Sequence, residues 1–165
     1  MFERLLVAID DSDSSLTALS FAMALARNSD ADVYVLHVNP ILVSGRGFSD
    51  PTQKEATHLV QRAVIEFRNY GIPATGLLAR ANMCDLPHAI VDAALLQGSD
   101  AIVMGSRQCR GLRRLLGRGI RDRVTSLSPL PILTAPPPLQ IPGRRLFGLQ
   151  RDPLLTNRFS TSFTR

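Results

Sequence analysis

Two places in this 165-residue chain combine residue types that can do chemistry. The first is Asp10, which follows the apolar run "LLVAI" and opens the acidic, serine-rich turn "DDSDSS". A carboxylate there can accept hydrogen bonds from a ribose hydroxyl or a base amino group. The structural alternative is that Asp10, Asp11 and Ser12 only cap the next helix, a role to which Asp and Ser are suited. The second is Gly105-Ser106-Arg107, at the head of "VMGSRQCRGLRRLLGRGI", which holds four glycines and five arginines. Glycine after a buried strand lets backbone approach a ligand and turn N–H groups toward phosphate. The alternative is a tight turn.

Other phosphate and catalytic signatures are missing. A Walker A loop needs a lysine, and Lys54 is the only lysine of the chain. A dinucleotide fingerprint needs glycines after the first strand, where the chain has "DDSDSS". His37, His58 and His88 form no nucleophile motif with a Ser or Cys, and GxSxG is absent. Cys84 and Cys109 lack CxxC spacing and paired histidines, so a structural zinc is not expected. Cys109 lies among arginines that favour a thiolate, which makes it a candidate reactive thiol against the plainer reading of a free loop thiol. The chain therefore reads as non-enzymatic and metal-free, with slow ATP hydrolysis left open.

Charge is concentrated rather than spread. The formal net charge is +5, yet residues 107–123 carry seven arginines against Asp122, and residues 136–165 carry five against Asp152. Arg110, Arg113, Arg114, Arg118 and Arg121 include i,i+3 and i,i+4 pairs, so on a helix several share a face. Such a face attracts phosphate, RNA or an acidic protein partner; the alternative is a solvated basic face. Nucleic acid is the weakest of these readings, because Trp is absent, aromatics are 5% and no reading motif is present. Apolar runs are far short of the ~18 residues a membrane span requires, and "MFERLLVAID" is too quickly charged for a secretory leader. A cytoplasmic location is expected.

These residues need elements to position them. Apolar runs at 5–9, 33–38, 74–81, 100–105 and 130–135 predict five strands, the first two continuous enough to be buried on both faces. Helical patterns lie between them. The first puts Leu16, Leu19, Ala22, Met23 and Ala26 on one stripe, and the second, 52–70, puts Leu59, Ala63 and Phe67 inward. Gly71 ends the second, Asp85 is placed to cap the third and Gly98 ends it. The fourth pattern, 112–127, is interrupted by Gly117 and Gly119, and residues 39–51 read as a loop. Strict β-α alternation predicts an α/β fold with an open parallel sheet and helices on both faces, ligands sitting at the carboxyl ends of the strands. The proline-rich segment beyond 136 shows no sustained period and reads as a disordered basic tail over 137–165.

The segments "LLVAIDDSDSSLTALSFAMALAR", "VYVLHV", "DLPHAIVDAALLQGSDAIVMGSR" and "LPILTAP" together resemble the universal stress protein family over residues 1–136. The resemblance implies a Rossmann-like five-stranded sheet of order 3-2-1-4-5, a homodimer through the last strand, and in many members an ATP or AMP site. In those members Gly, two residues, Gly, nine residues, Gly and Ser or Thr hold the phosphates. Laid on this chain, Gly105 matches, while Gln108, Arg118 and Gly119 stand at the second glycine, third glycine and hydroxyl. The resemblance places the adenosine half on Ala8, Ile9, Asp10, Val38, Met104 and Gly105, and the phosphate half on Arg107, Gln108, Arg118, Gly119 and Ile120. It implies a regulatory protein with an altered phosphate end, against an interaction module that binds no nucleotide and engages an acidic partner.

Overall fold

The computed structural model describes residues 1–41, 52–106 and 119–136. Its elements are β1 (Arg4–Ile9), α1 (Asp13–Ser29), β2 (Asp32–Pro40), α2 (Thr52–Asn69), β3 (Ala74–Ala81), α3 (Leu86–Leu96), β4 (Ala101–Gly105), α4 (Ile120–Leu127) and β5 (Ile132–Ala135). The strands form one sheet of order β3-β2-β1-β4-β5 with every pairing parallel. This is the order the resemblance implied.

Two apolar layers sandwich the sheet. Alternate side chains of a strand point to opposite faces, so Leu5, Val7 and Ile9 of β1 join Val33, Val35 and Val103 beneath α1 and α2. Leu6, Leu36, Ile102 and Met104 join Ile90, Val91, Ala94 and Val124 beneath α3 and α4. Helices therefore cover both faces. Leu5, Leu6, Val7, Ile102 and Val103 are completely buried, which is why β1 and β4 read as continuous apolar runs.

The helix ends follow their sequence signals. Gly71 and Gly98 adopt positive φ, 74° and 61°, just past α2 and α3, where a left-handed residue closes a helix at little steric cost in glycine. Asp30 takes the same role after α1 at φ 57°, and its N–H bonds the Ala26 carbonyl. Asp85 is the cap residue of α3 but makes no side-chain cap bond; its carboxylate accepts instead from Asn82 Nδ2 at 3.4 Å.

Four sequence expectations shift. The inward stripe of α1 includes Ser15 and Ala18, while Leu16 is only half-buried. In α2, Ala63 and Phe67 are buried, and Leu59 packs half-buried at the margin with Val60 inward. β2 runs on to Pro40, because Asn39 and Pro40 still pair with Arg80 and Ala81 of β3. β5 starts at Ile132 rather than 130. Ser128 Oγ bonds both the N–H and the carbonyl of Leu130, and Pro131 has no N–H to give a ladder, although its carbonyl accepts from Ile102. Within the fourth helical pattern, α4 begins at Ile120 with Gly119 as its cap residue; residues 112–118 and the segment 137–165 lie outside the described residues. Among the described residues, no helix is long and apolar enough to cross a membrane.

Candidate functional site

β1 and β4 lie side by side at the centre of the sheet, with Ala8 opposite Met104. Their carboxyl ends therefore meet, and the chain leaves β1 through Asp10 into α1 and leaves β4 through Gly105 and Ser106. Val38 on β2 lies one residue beyond the Ile9–His37 pair. Ile120, in the first turn of α4, packs with Ala8 against the cluster that holds Val38, Ala81 and Met104. The fold thus brings Ala8, Ile9, Asp10, Val38, Met104, Gly105, Gly119 and Ile120 to one end of the sheet. Arg107, Gln108 and Arg118 lie outside the described residues, as do Cys109, Arg110, Arg113 and Arg114 of the basic cluster.

Asp10 has a clear local task. Its Oδ1 accepts from the Ser12 N–H at 3.1 Å, from Ser15 Oγ at 2.7 Å and from Ser12 Oγ. Its own N–H donates to Ser15 Oγ at 2.7 Å. A carboxylate bonding the backbone two residues on is an Asx turn, and here it steers the chain from β1 into α1. Ser12 is the cap residue of α1 but makes no side-chain cap bond; its hydroxyl is given to Asp10 and shared with Ser14 Oγ at 2.8 Å. A ligand hydroxyl reaching Oδ1 therefore competes with two serines.

Gly105 also has a structural reason. Its φ is not among the positive values, so conformational freedom does not explain it. A Cβ at this position would collide with the Ser14 backbone, lying against its carbonyl oxygen, 2.7 Å from its carbonyl carbon and 2.8 Å from its Cβ. The glycine is what allows the first turn of α1 to pack onto the end of β4. Gly119 differs. It is extended, with φ −60° and ψ 162°, and among the described residues a Cβ there meets only Asp122 Oδ2 at 3.8 Å. A side chain fits at Gly119 without strain.

Three further groups belong to this end of the sheet. Ser106 Oγ is buried without a hydrogen-bond partner among the described residues, and a buried hydroxyl left unmatched costs free energy. His37 Nδ1 donates to the Ile9 carbonyl at 3.0 Å, because a carbonyl oxygen can only accept. Arg123 Nη2 donates to the Cys84 carbonyl at 2.7 Å, tying α4 to the β3–α3 turn. In the sequence His37 is weighed only as a partner in a nucleophile motif and Arg123 only as part of the basic run 107–123. The place of His37 in an otherwise apolar strand is the local signal of a structural bond, whereas the Arg123 bond spans 39 residues and leaves no local trace. Cys84 is exposed as a free thiol, and no group of metal-ligating side chains occurs among the described residues.

The universal stress protein family model matches residues 1–136. The chain belongs to the universal stress protein family. Among its relatives, universal stress protein YxiE of Bacillus subtilis is 30% identical over 148 residues, spanning 81% of this chain and 98% of the relative. A universal stress protein structure from Archaeoglobus fulgidus is 28% identical with a TM-score of 0.65, covering 81% of this chain and 98% of that one. The universal stress protein from Archaeoglobus fulgidus in complex with dAMP is 28% identical with a TM-score of 0.62, covering 80% of this chain and 96% of that one. Membership accounts for the parallel order of the strands, and open parallel sheets in general bind ligands where the strand order reverses, here between β1 and β4.

Proposed function

We propose that this chain is a cytoplasmic, non-enzymatic regulatory protein that binds an adenine mononucleotide at the carboxyl ends of β1, β2 and β4. The observation that carries the reading is the buried Ser106 hydroxyl, which has no hydrogen-bond partner among the described residues and lies beside the junction of Ala8, Asp10, Met104 and Gly105. Relatives add support, since one 28% identical to this chain is seen with dAMP. On this reading the adenosine half rests on Ala8, Ile9, Asp10 and Val38, and the phosphate lies toward Ser106 and the first turn of α4. The N–H groups of a helix start favour an anion, and Gly119 leaves room there. Without the family's usual hydroxyl at 119, one phosphate is held better than three, so AMP or dAMP is preferred over ATP. The group does not need a metal from the protein.

The regulatory output is a homodimer through β5. That strand is four residues long at the sheet edge, with Leu127 exposed and Leu130, Ile132 and Leu133 half-buried beside it. Calorimetric titration with AMP, dAMP and ATP tests the nucleotide reading. Saturable binding of the monophosphates, tighter than ATP, supports it. Absence of heat with all three at about 1 mM, where even a weak site begins to fill, overturns it in favour of an interaction module.

A further inference from the structure

At the opposite end of the sheet, where β2 and β3 begin, an open cleft of about 310 Å³ is lined by Asp32, Tyr34, Arg68, Pro73 and Thr75. The register places it. Tyr34 pairs with Thr75 across the two strands, and alternate side chains share a face, so Asp32, Tyr34 and Thr75 lie together on the α3/α4 face. Arg68 comes from the last turn of α2 on the other face and reaches the start of β3. Its Nε and Nη2 both donate to the Ala74 carbonyl, at 3.1 and 2.8 Å. One edge of the guanidinium is thereby fixed. Of its five N–H donors, the remaining three include the end-on pair, and they meet no acceptor among the described residues. The Asp32 carboxylate, the Tyr34 phenol and the Thr75 hydroxyl likewise have no side-chain partner among the described residues.

We propose that this cleft binds a free zwitterionic amino acid, its carboxylate held end-on by Arg68 and its ammonium by Asp32. The charges decide the class. An anion would face Asp32 and a cation would face Arg68, whereas a neutral polyol uses the two hydroxyls and neither charge. A planar guanidinium already oriented by a carbonyl loses little freedom on forming a bidentate carboxylate contact. Tyr34 and Thr75 add hydroxyls to the lining, and Pro73 adds an apolar ring. The volume is about ten waters at roughly 30 Å³ each, room for a mid-sized amino acid. The cleft lies at the amino ends of the strands, so the proposal is independent of the nucleotide reading.

The test is backbone amide NMR of the full chain with glycine, L-glutamine and L-glutamate, each at about 10 mM, ten times a millimolar Kd. Saturable shifts confined to residues 32–34, 68 and 74–75 are expected with at least one of them, and the N-acetylated form of that amino acid should leave them unmoved. Arg68→Gln and Asp32→Asn should each weaken binding tenfold or more. Asp32→Asn, an isosteric change at an exposed side chain, keeps the test decisive if loss of the Ala74 tie unfolds Arg68→Gln. The proposal is overturned by no shift with any of the three, by an equal response to the acetylated form, or by full affinity in Asp32→Asn.

Discussion

The backbone of Ser14, in the first turn of α1, occupies the space into which a side chain at Gly105 would extend. A glycine that looks like part of a phosphate loop is therefore required, first, by the docking of a helix on a strand end. The two roles separate experimentally. Gly105→Ala drives a methyl into backbone that cannot rotate away, and overpacking of this kind costs about 1–3 kcal/mol. Urea unfolding without any ligand should show a lower midpoint with the slope unchanged. An unaltered midpoint would mean that α1 shifts freely and that the packing account is wrong.

Gly119→Ser makes the opposite prediction. The position is the cap residue of α4, where among the described residues only Asp122 Oδ2 comes near, and serine is preferred over glycine at a helix cap by a few tenths of a kcal/mol. Stability should hold or rise slightly, and the new hydroxyl should raise affinity for AMP while leaving adenosine unchanged. Calorimetry with the two ligands reads the difference. A variant that unfolds more readily contradicts the geometry at this cap.

The turn after β1 distinguishes two neighbouring serines. Ser15 is buried, and its hydroxyl both accepts from the Asp10 N–H and donates to the Asp10 carboxylate. Ser15→Ala leaves that N–H unmatched in a half-buried turn, at about 1–3 kcal/mol. Ser14→Ala removes the exchange with Ser12 Oγ and should cost well under half as much. Equal effects in denaturant titrations would contradict the assignment of Ser15 as the anchor.

At the far end of the sheet, Asp100 ties β1 to β4. Its carboxylate accepts the N–H groups of Arg4 and Glu3, at 2.8 and 2.5 Å, and these bonds, Arg4's first, hold its pKa below the ordinary aspartate value. The charged form is favoured by folding. Its stabilising effect is therefore complete above the unfolded value of about 3.9 and is lost as pH falls below it through the folded value. Asp100→Asn should lower stability at neutral pH and flatten the acid limb of the stability curve below about pH 4. A mutant whose acid limb matches the parent's removes Asp100 from that account.

The element order was legible because β1, β2 and β4 are buried on both faces, which forces uninterrupted apolar runs such as "LLVAI" and "AIVMG". Gly71 and Gly98 were legible as helix ends for a local reason, their positive φ. Leu16 and Ser15 were exchanged because the polarity of Ser15 argues for solvent, whereas its burial is compensated by Asp10, five residues back. The purpose of Gly105 was not legible at all. It depends on α1 crossing the end of β4, 91 positions away in the chain. The same holds for the cleft at Arg68, whose partners come from β2, α2 and β3 and carry no motif in sequence.

The central claim, an adenine mononucleotide seated at the ends of β1, β2 and β4, is tested most directly by amide NMR of the full chain titrated with dAMP. The account predicts saturable shifts at residues 8–10, 38, 104–106 and 119–120, with residues 32–34 and 74–75 unmoved. Saturation with shifts elsewhere, or no shifts at about 5 mM, five times a millimolar Kd, would contradict it.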